Sequence, residues 1–167
     1  AAKVVAANKK LYINREEGFI GTSLRKEEYV CECSDIDDII VFKRDGSFVV
    51  IKIGSKVFVG KDIIHCAVFK KKDTRTIYNM IYKDGSTGLN YVKRFSVTSV
   101  TRNKDYILTK SDKGSKVLYF TSNPNGQAEI VTVYLRALRR LKKLKLDFDF
   151  SSLSIKGRGS VGNILSK

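Results

Sequence analysis

The chain has 167 residues, 43% of them hydrophobic, with 32 Lys and Arg against 17 Asp and Glu for a formal net charge of +15. That apolar content excludes wholesale disorder and suits one domain or a compact repeat array. An excess of positive charge opposes compaction by self-repulsion, so it points to a polyanionic partner, nucleic acid before an anionic membrane surface. A basic domain without such a partner is the plainer alternative.

The longest apolar runs have strand length, short of the ~20 residues of a membrane helix. Ala1 to Ala7 is too short and too weakly apolar for a signal peptide. With no initiator Met, residues 1–167 read as a single domain cut from a longer chain. Cys31, Cys33 and Cys66 are odd in number and do not form a disulfide framework. They predict a reducing, cytoplasmic setting.

Taken in chain order, the sequence reads as repeated hairpins. Leu11 to Ile20 turns at Gly18, and Ile39 to Ile51 turns at Asp45-Gly46. Ile77 to Val92 turns at Asp84-Gly85, and Val117 to Val133 at Asn125-Gly126. Tight hairpins need positive φ, which Gly adopts freely and Asn or Asp tolerates. The last three of these glycines recur about every 40 residues, the period of propellers and solenoids. Further strand-like runs at Lys56–Val59, Ile63–Phe69 and Arg94–Thr101 raise the content to about four strands per repeat, that of a propeller blade. One segment reads differently. Leucines at 135, 138, 141 and 144 fit a helical face, predicting a short helix that grades into a strand through Asp147 to Phe150.

Residues that carry catalysis are scarce. His65, the single histidine, neighbours Cys66, but adjacent strand residues face opposite sides, so a half-buried structural role is expected. Cys31 and Cys33 share a strand face without a second ligand pair at zinc-like spacing. Asp35, Asp37 and Asp38 read as a polar turn before the strand at Ile39. No phosphate-binding loop, nucleophile elbow or dinucleotide fingerprint occurs. The expectation is a domain with no active site, no metal and no cofactor.

Basic residues carry more. They cluster at Lys70, Lys71, Lys72 and Arg75, at Lys93 and Arg94, and at Arg136, Arg139, Arg140, Lys142, Lys143 and Lys145. Recurring at related places in a repeat, such clusters form an electropositive rim that contacts phosphates and confers little sequence preference. Lys156, Gly157, Arg158, Gly159, Ser160, Val161 and Gly162 make a basic, Gly-rich loop whose backbone can approach a phosphate closely. A Gly-rich connector is the alternative reading of that loop. Most Tyr and Phe alternate within strands and are expected in the core rather than stacked on bases.

The chain resembles the C-terminal domains of bacterial type IIA topoisomerase A subunits, those of DNA gyrase and topoisomerase IV. The likeness is carried by Lys10–Gly21, Ser34–Phe42, Arg75–Asn79, Tyr91–Phe95 and Ile155–Arg158, and its texture is similar to topoisomerase IV. The resemblance implies a β-pinwheel of about four blades, or three complete blades and a partial one, in which neighbouring blades exchange strands. It implies a domain that binds and bends the transported duplex along a basic edge, without catalysis. Its partners would be double-stranded DNA, the ATPase B subunit, and the catalytic part of the same A subunit, with no membrane. The setting would be the bacterial cytoplasm and nucleoid. The gyrase box, Gln-basic-Arg-Gly-Gly-basic-Gly, survives here only as Arg158, Gly159 and Gly162, which favours bending over strong wrapping. The family's catalytic tyrosine lies in another domain, so no tyrosine here inherits its role. Two rivals are a propeller docking an acidic protein partner and a single-strand or RNA binder.

Overall fold

Apolar, β-branched runs punctuated by Gly, Asp and Asn become strands because the pleated backbone accommodates branched side chains and the punctuators supply the turns. In the computed structural model, residues 8–134 and 145–166 are described. The first repeat forms β1 (Lys9–Asn14), β2 (Phe19–Gly21) and β3 (Glu28–Cys33). The second forms β4 (Asp38–Lys43), β5 (Ser47–Lys52), β6 (Val57–Phe58) and β7 (Ile63–Phe69). The third forms β8 (Ile77–Lys83), β9 (Asn90–Ser96), β10 (Tyr106–Ile107) and β11 (Lys116–Asn123). After these come β12 (Ile130–Tyr134), β13 (Lys145–Asp149), a 3-10 turn at Phe150–Ser152, β14 (Lys156–Gly157) and β15 (Asn163–Ser166).

The strands assemble as β3-β1-β2-β6, as β10-β5-β4-β7, as β11-β8-β9 with β14 and β15 on the β9 edge, and as β12-β13. In the first three sheets a hairpin forms the centre and the next long strand covers its first member. The second member is covered from further along the chain. β6, from the second repeat, pairs with β2, Phe58 opposite Phe19. β10, from the third, pairs with β5, Tyr106 opposite Phe48. This exchange makes the all-β fold a pinwheel, with three complete blades and a two-stranded fourth sheet among the described residues.

Two turns differ from the sequence expectation. Asn125-Gly126 does not close a hairpin: β11 pairs with β8 and β12 with β13, so this turn carries the chain between sheets. At Asp84-Gly85 the turn forms, but the positive φ falls on Gly88, at +71°. Gly85 is needed for space instead, since a Cβ there would lie 2.0 Å from the Lys113 carbonyl oxygen. The expected helix at 135–144 lies outside the described residues, and its continuation is strand β13.

β4 is apolar on both faces because it is covered on both. Ile39 and Val41 join Leu11, Ile13 and Ile20 in the core between the first and second sheets. Ile40 and Phe42 join Tyr78, Met80 and Phe95 in the core between the second and third. Ile81 and Val92 continue with Phe150, Val131 and Val133 toward the fourth. The fourth sheet is also tied by Glu129, whose carboxylate accepts hydrogen bonds from the Tyr119 and Thr121 hydroxyls and the Asn79 and Asn123 amides.

Phe42 centres the middle core, its ring 4.6 Å from Phe120, 4.9 Å from Tyr78 and 5.4 Å from Phe48. Phe42→Ala leaves a cavity where two sheets meet and should cost about 3–5 kcal/mol, read from a shifted midpoint in urea. His65 packs 5.9 Å from Phe42 and 5.5 Å from Phe120, while Cys66 faces the other core. Burial, with Arg15 nearby, pushes His65 from the usual 6.5 down to about 4. Between those values the unfolded chain binds a proton that the folded chain refuses. Stability is therefore full above pH 6.5 and falls toward pH 4, by on the order of 3 kcal/mol. Melting curves across that window should show the decline, and His65→Phe should flatten it.

Candidate nucleic-acid interface

The β9 edge opposite β8 is covered in two pieces. β14 runs parallel to it, Lys156 opposite Phe95 and Gly157 opposite Ser96. β15 runs antiparallel, Asn163 opposite Val92. Reversing direction along one edge forces the chain to loop out between them, and the Gly-rich segment makes that loop. Gly162 takes φ +96°, and a Cβ there would lie 2.4 Å from the Val92 carbonyl oxygen. Only glycine fits that approach without strain.

Beneath the loop, Lys93 is 1% exposed. Its Nζ donates to the carbonyl oxygens of Leu108 at 2.8 Å and Arg158 at 2.6 Å and lies 4.9 Å from the Phe95 ring centre. Burial, with the Arg158 charge nearby, pushes its ammonium down to about 7. The Tyr82 hydroxyl donates to the Val161 carbonyl oxygen at 2.6 Å. The Arg158 guanidinium lies 4.1 Å above the Tyr106 ring, and Lys104 approaches the same ring at 5.3 Å.

A second basic element, residues 70–76, meets the same end of the sheet. Asp73 organises it, accepting from the Thr76 hydroxyl at 2.7 Å and the Arg75 amide at 2.9 Å. These bonds, the Thr76 hydroxyl first, hold its carboxyl below the usual range. The Lys72 amide donates to Thr98 at 2.8 Å, two residues beyond the point where Gly157 pairs. Lys70, Lys71, Lys72, Arg75 and Lys156 are all exposed. The ion pairs among the described residues are Arg15–Glu28, Lys43–Asp105 and Arg102–Asp38, so none of these five is held by a carboxylate.

Residues 10–167 match the family described as Topoisomerase C-terminal domain, Bacteroidota. The chain belongs to that family. The A subunit of DNA topoisomerase 4 from Borreliella burgdorferi is 30% identical over 166 residues, 98% of this chain and 24% of the relative. The chain thus spans about a quarter of that relative's length. A crystal structure of the C-terminal domain of DNA topoisomerase IV shares the fold, with TM-score 0.59 at 14% identity over 98% of this chain and 58% of that one.

Within this topoisomerase C-terminal domain, the basic residues singled out by sequence part company. Lys70, Lys71, Lys72, Arg75 and Lys156 gather at the end where β8 begins and β9 finishes. Arg158 is half-buried against Tyr106. Lys93 does not present its charge: the apolar flanks Tyr91 and Phe95 share its inward face, so its ammonium is engaged inside the protein. Arg94 is half-buried and donates to the Gly126 carbonyl oxygen at 2.7 Å. Arg139, Arg140, Lys142 and Lys143 lie outside the described residues. Sequence reading passed over Lys104, which only the β10 exchange brings beside Arg158. It also passed over Lys9, Lys10 and Arg25, which line an open cleft of about 680 Å³ on the first sheet. Among the described residues no three His, Cys, Asp or Glu side chains are grouped to hold a metal. No helix among them is long and apolar enough to cross a membrane.

Gly162→Ala should strain the loop by about 1–2 kcal/mol from its left-handed conformation alone, with the Val92 clash added. Amide exchange along β15 should quicken. Gly159→Ala, with no atom within 4 Å of the added methyl, should leave exchange unchanged.

Proposed function

We propose that this domain binds duplex DNA without catalysing any step, presenting the transported segment to a catalytic core elsewhere in a bacterial, cytoplasmic type IIA topoisomerase A subunit. The observation that carries this is the gathering of Lys70, Lys71, Lys72, Arg75 and Lys156, exposed and without carboxylate partners, at one end of the third sheet of a chain with net charge +15. Side chains so arranged neutralise phosphates, which supplies affinity with little base readout. Membership of a topoisomerase family supports the same reading, as does the name of the Borreliella burgdorferi relative. The protein partners that this reading brings are the ATPase B subunit, together with the catalytic part of the same A subunit.

Stacking on unpaired bases is disfavoured because the aromatics are largely committed to the cores. Among the described residues, which include all 9 Phe and 8 Tyr, only Tyr29, Phe58 and Tyr134 are exposed.

Anisotropy titrations with a random duplex and a matched single strand, across a salt series, test the proposal. The duplex should bind more tightly, with log affinity falling by roughly 0.9 per neutralised phosphate for each tenfold rise in salt. Lys71→Ala or Lys156→Ala should weaken binding to all sequences alike and reduce the salt slope by roughly one. Preference for the single strand, or a shift in sequence preference on one such change, would overturn it.

A further inference from the structure

Lys93 is a costly residue to place at a buried position. An ammonium leaves water at a penalty that only good partners offset, and the ion pairs among the described residues give it no carboxylate. Its partners are two backbone carbonyls and a ring: Leu108 just after β10, Arg158 in the Gly-rich loop, and Phe95 beside it on β9. One buried amine on β9 thus joins the segment just after β10 and the Gly-rich loop, 15 and 65 residues away in the chain. The loop bond is the shortest of these contacts, at 2.6 Å.

The loop has little else to hold it. Cβ atoms added at Gly157 or Gly159 would meet nothing within 4 Å, so neither position is wedged against a neighbouring group. Its described tethers are the Lys93 bond to Arg158, the Tyr82 bond to Val161, and the Arg158 guanidinium over Tyr106. Backbone freedom at so many glycines must be opposed by specific bonds if Lys156 and Arg158 are to hold one orientation.

We propose that Lys93 is a positioning residue, docking the Gly-rich basic loop on the β9 edge through its bond to the Arg158 carbonyl and thereby setting where Lys156 and Arg158 present their charge. The role rests on the duplex-binding reading for its consequence and on geometry alone for the docking. Lys93 touches no phosphate; it acts through the loop.

Lys93→Met keeps the apolar stem, ends where the ammonium begins, and removes the donor. Amide hydrogen exchange at Ser160, whose N–H donates to the Gly157 carbonyl oxygen at 3.2 Å, should quicken roughly tenfold, as expected for losing a buried hydrogen bond that holds the loop. Exchange at Val49–Ile51, in the middle of the second sheet, should stay as it is. Tyr82→Phe, which keeps the ring stacked on Tyr91 and removes the hydroxyl that donates to Val161 and accepts from the Lys110 amide, should release the same loop. Should Lys93→Met fail to fold, Lys93→Gln, uncharged and too short to reach the Arg158 carbonyl, carries the test with the same expected release of the loop. In duplex titrations Lys93→Met should weaken binding about three- to tenfold, yet add nothing in a Lys156→Ala/Arg158→Ala background, because the affected charges are already gone. Unchanged loop exchange, or exchange raised equally in β4 and β5, overturns the docking role. An equal loss of affinity in both backgrounds overturns the positioning role. Absence of duplex binding by the unaltered chain sinks the function proposed above, while the exchange measurement still decides whether Lys93 docks the loop.

Discussion

The second strand of each hairpin has a bare edge, and a row of unpaired amides is costly to bury and hazardous to expose. A local solution is not open to a repeat of about 40 residues whose third strand is already committed to the opposite edge. The chain instead covers each edge from the repeat that follows: β6 on β2, β10 on β5, β14 and β15 on β9. No sheet is then complete until its neighbour has folded. The exchange also interlocks the apolar faces, which is why β4 and β8 can be buried almost throughout while the chain carries so much charge.

The third edge is covered unlike the first two. A single two-residue strand suffices for β2 and β5, whereas β9 is served by a parallel and an antiparallel piece joined by a glycine-rich loop. The topology itself puts a basic loop at the end of a sheet where another basic loop, residues 70–76, already sits. Edge protection and charge display are therefore one structural act: the segment that completes the blade also carries the basic loop. Lys93 stands where these demands meet, its ammonium bonded to carbonyls from the residue just after a donated strand and from the loop.

Buried polar groups serve the joints between sheets more than the sheets themselves. Glu129 gathers donors from β8 and β11 just before β12 begins, and the Phe150 amide donates to its backbone carbonyl at 2.8 Å. The two-stranded fourth sheet, with Ile130 and Tyr134 exposed on its outer side, is thus held at its inner face by a polar anchor as well as by Phe150. Asp84 plays a comparable part in the turn of the third hairpin, where it accepts from Ser86 and Thr87.

Much of this was legible in one dimension because it depends on local physics. Period-two apolarity made the strands, Gly18 and Asp45-Gly46 made the first turns, and the repeat spacing implied a multi-blade all-β fold. The Gly-rich loop stood out by composition, and so did Lys70, Lys71, Lys72 and Arg75. The rest turned on pairings between segments that no local pattern records. Asn125-Gly126 has the chemistry of a hairpin turn, yet β11 was already taken by β8. Lys93 and Arg94 look like one basic pair, but their strand neighbours face packed cores on both sides. Lys104 shares the Tyr106 ring with Arg158 only because β10 crosses to another sheet. The sequence by itself determined which segments are strands, where they turn and that the surface is strongly basic, because those follow from side-chain pattern and backbone sterics. Only the tertiary structure decided which charges reach solvent and which hold the blades together, because that depends on which edge each donated strand covers.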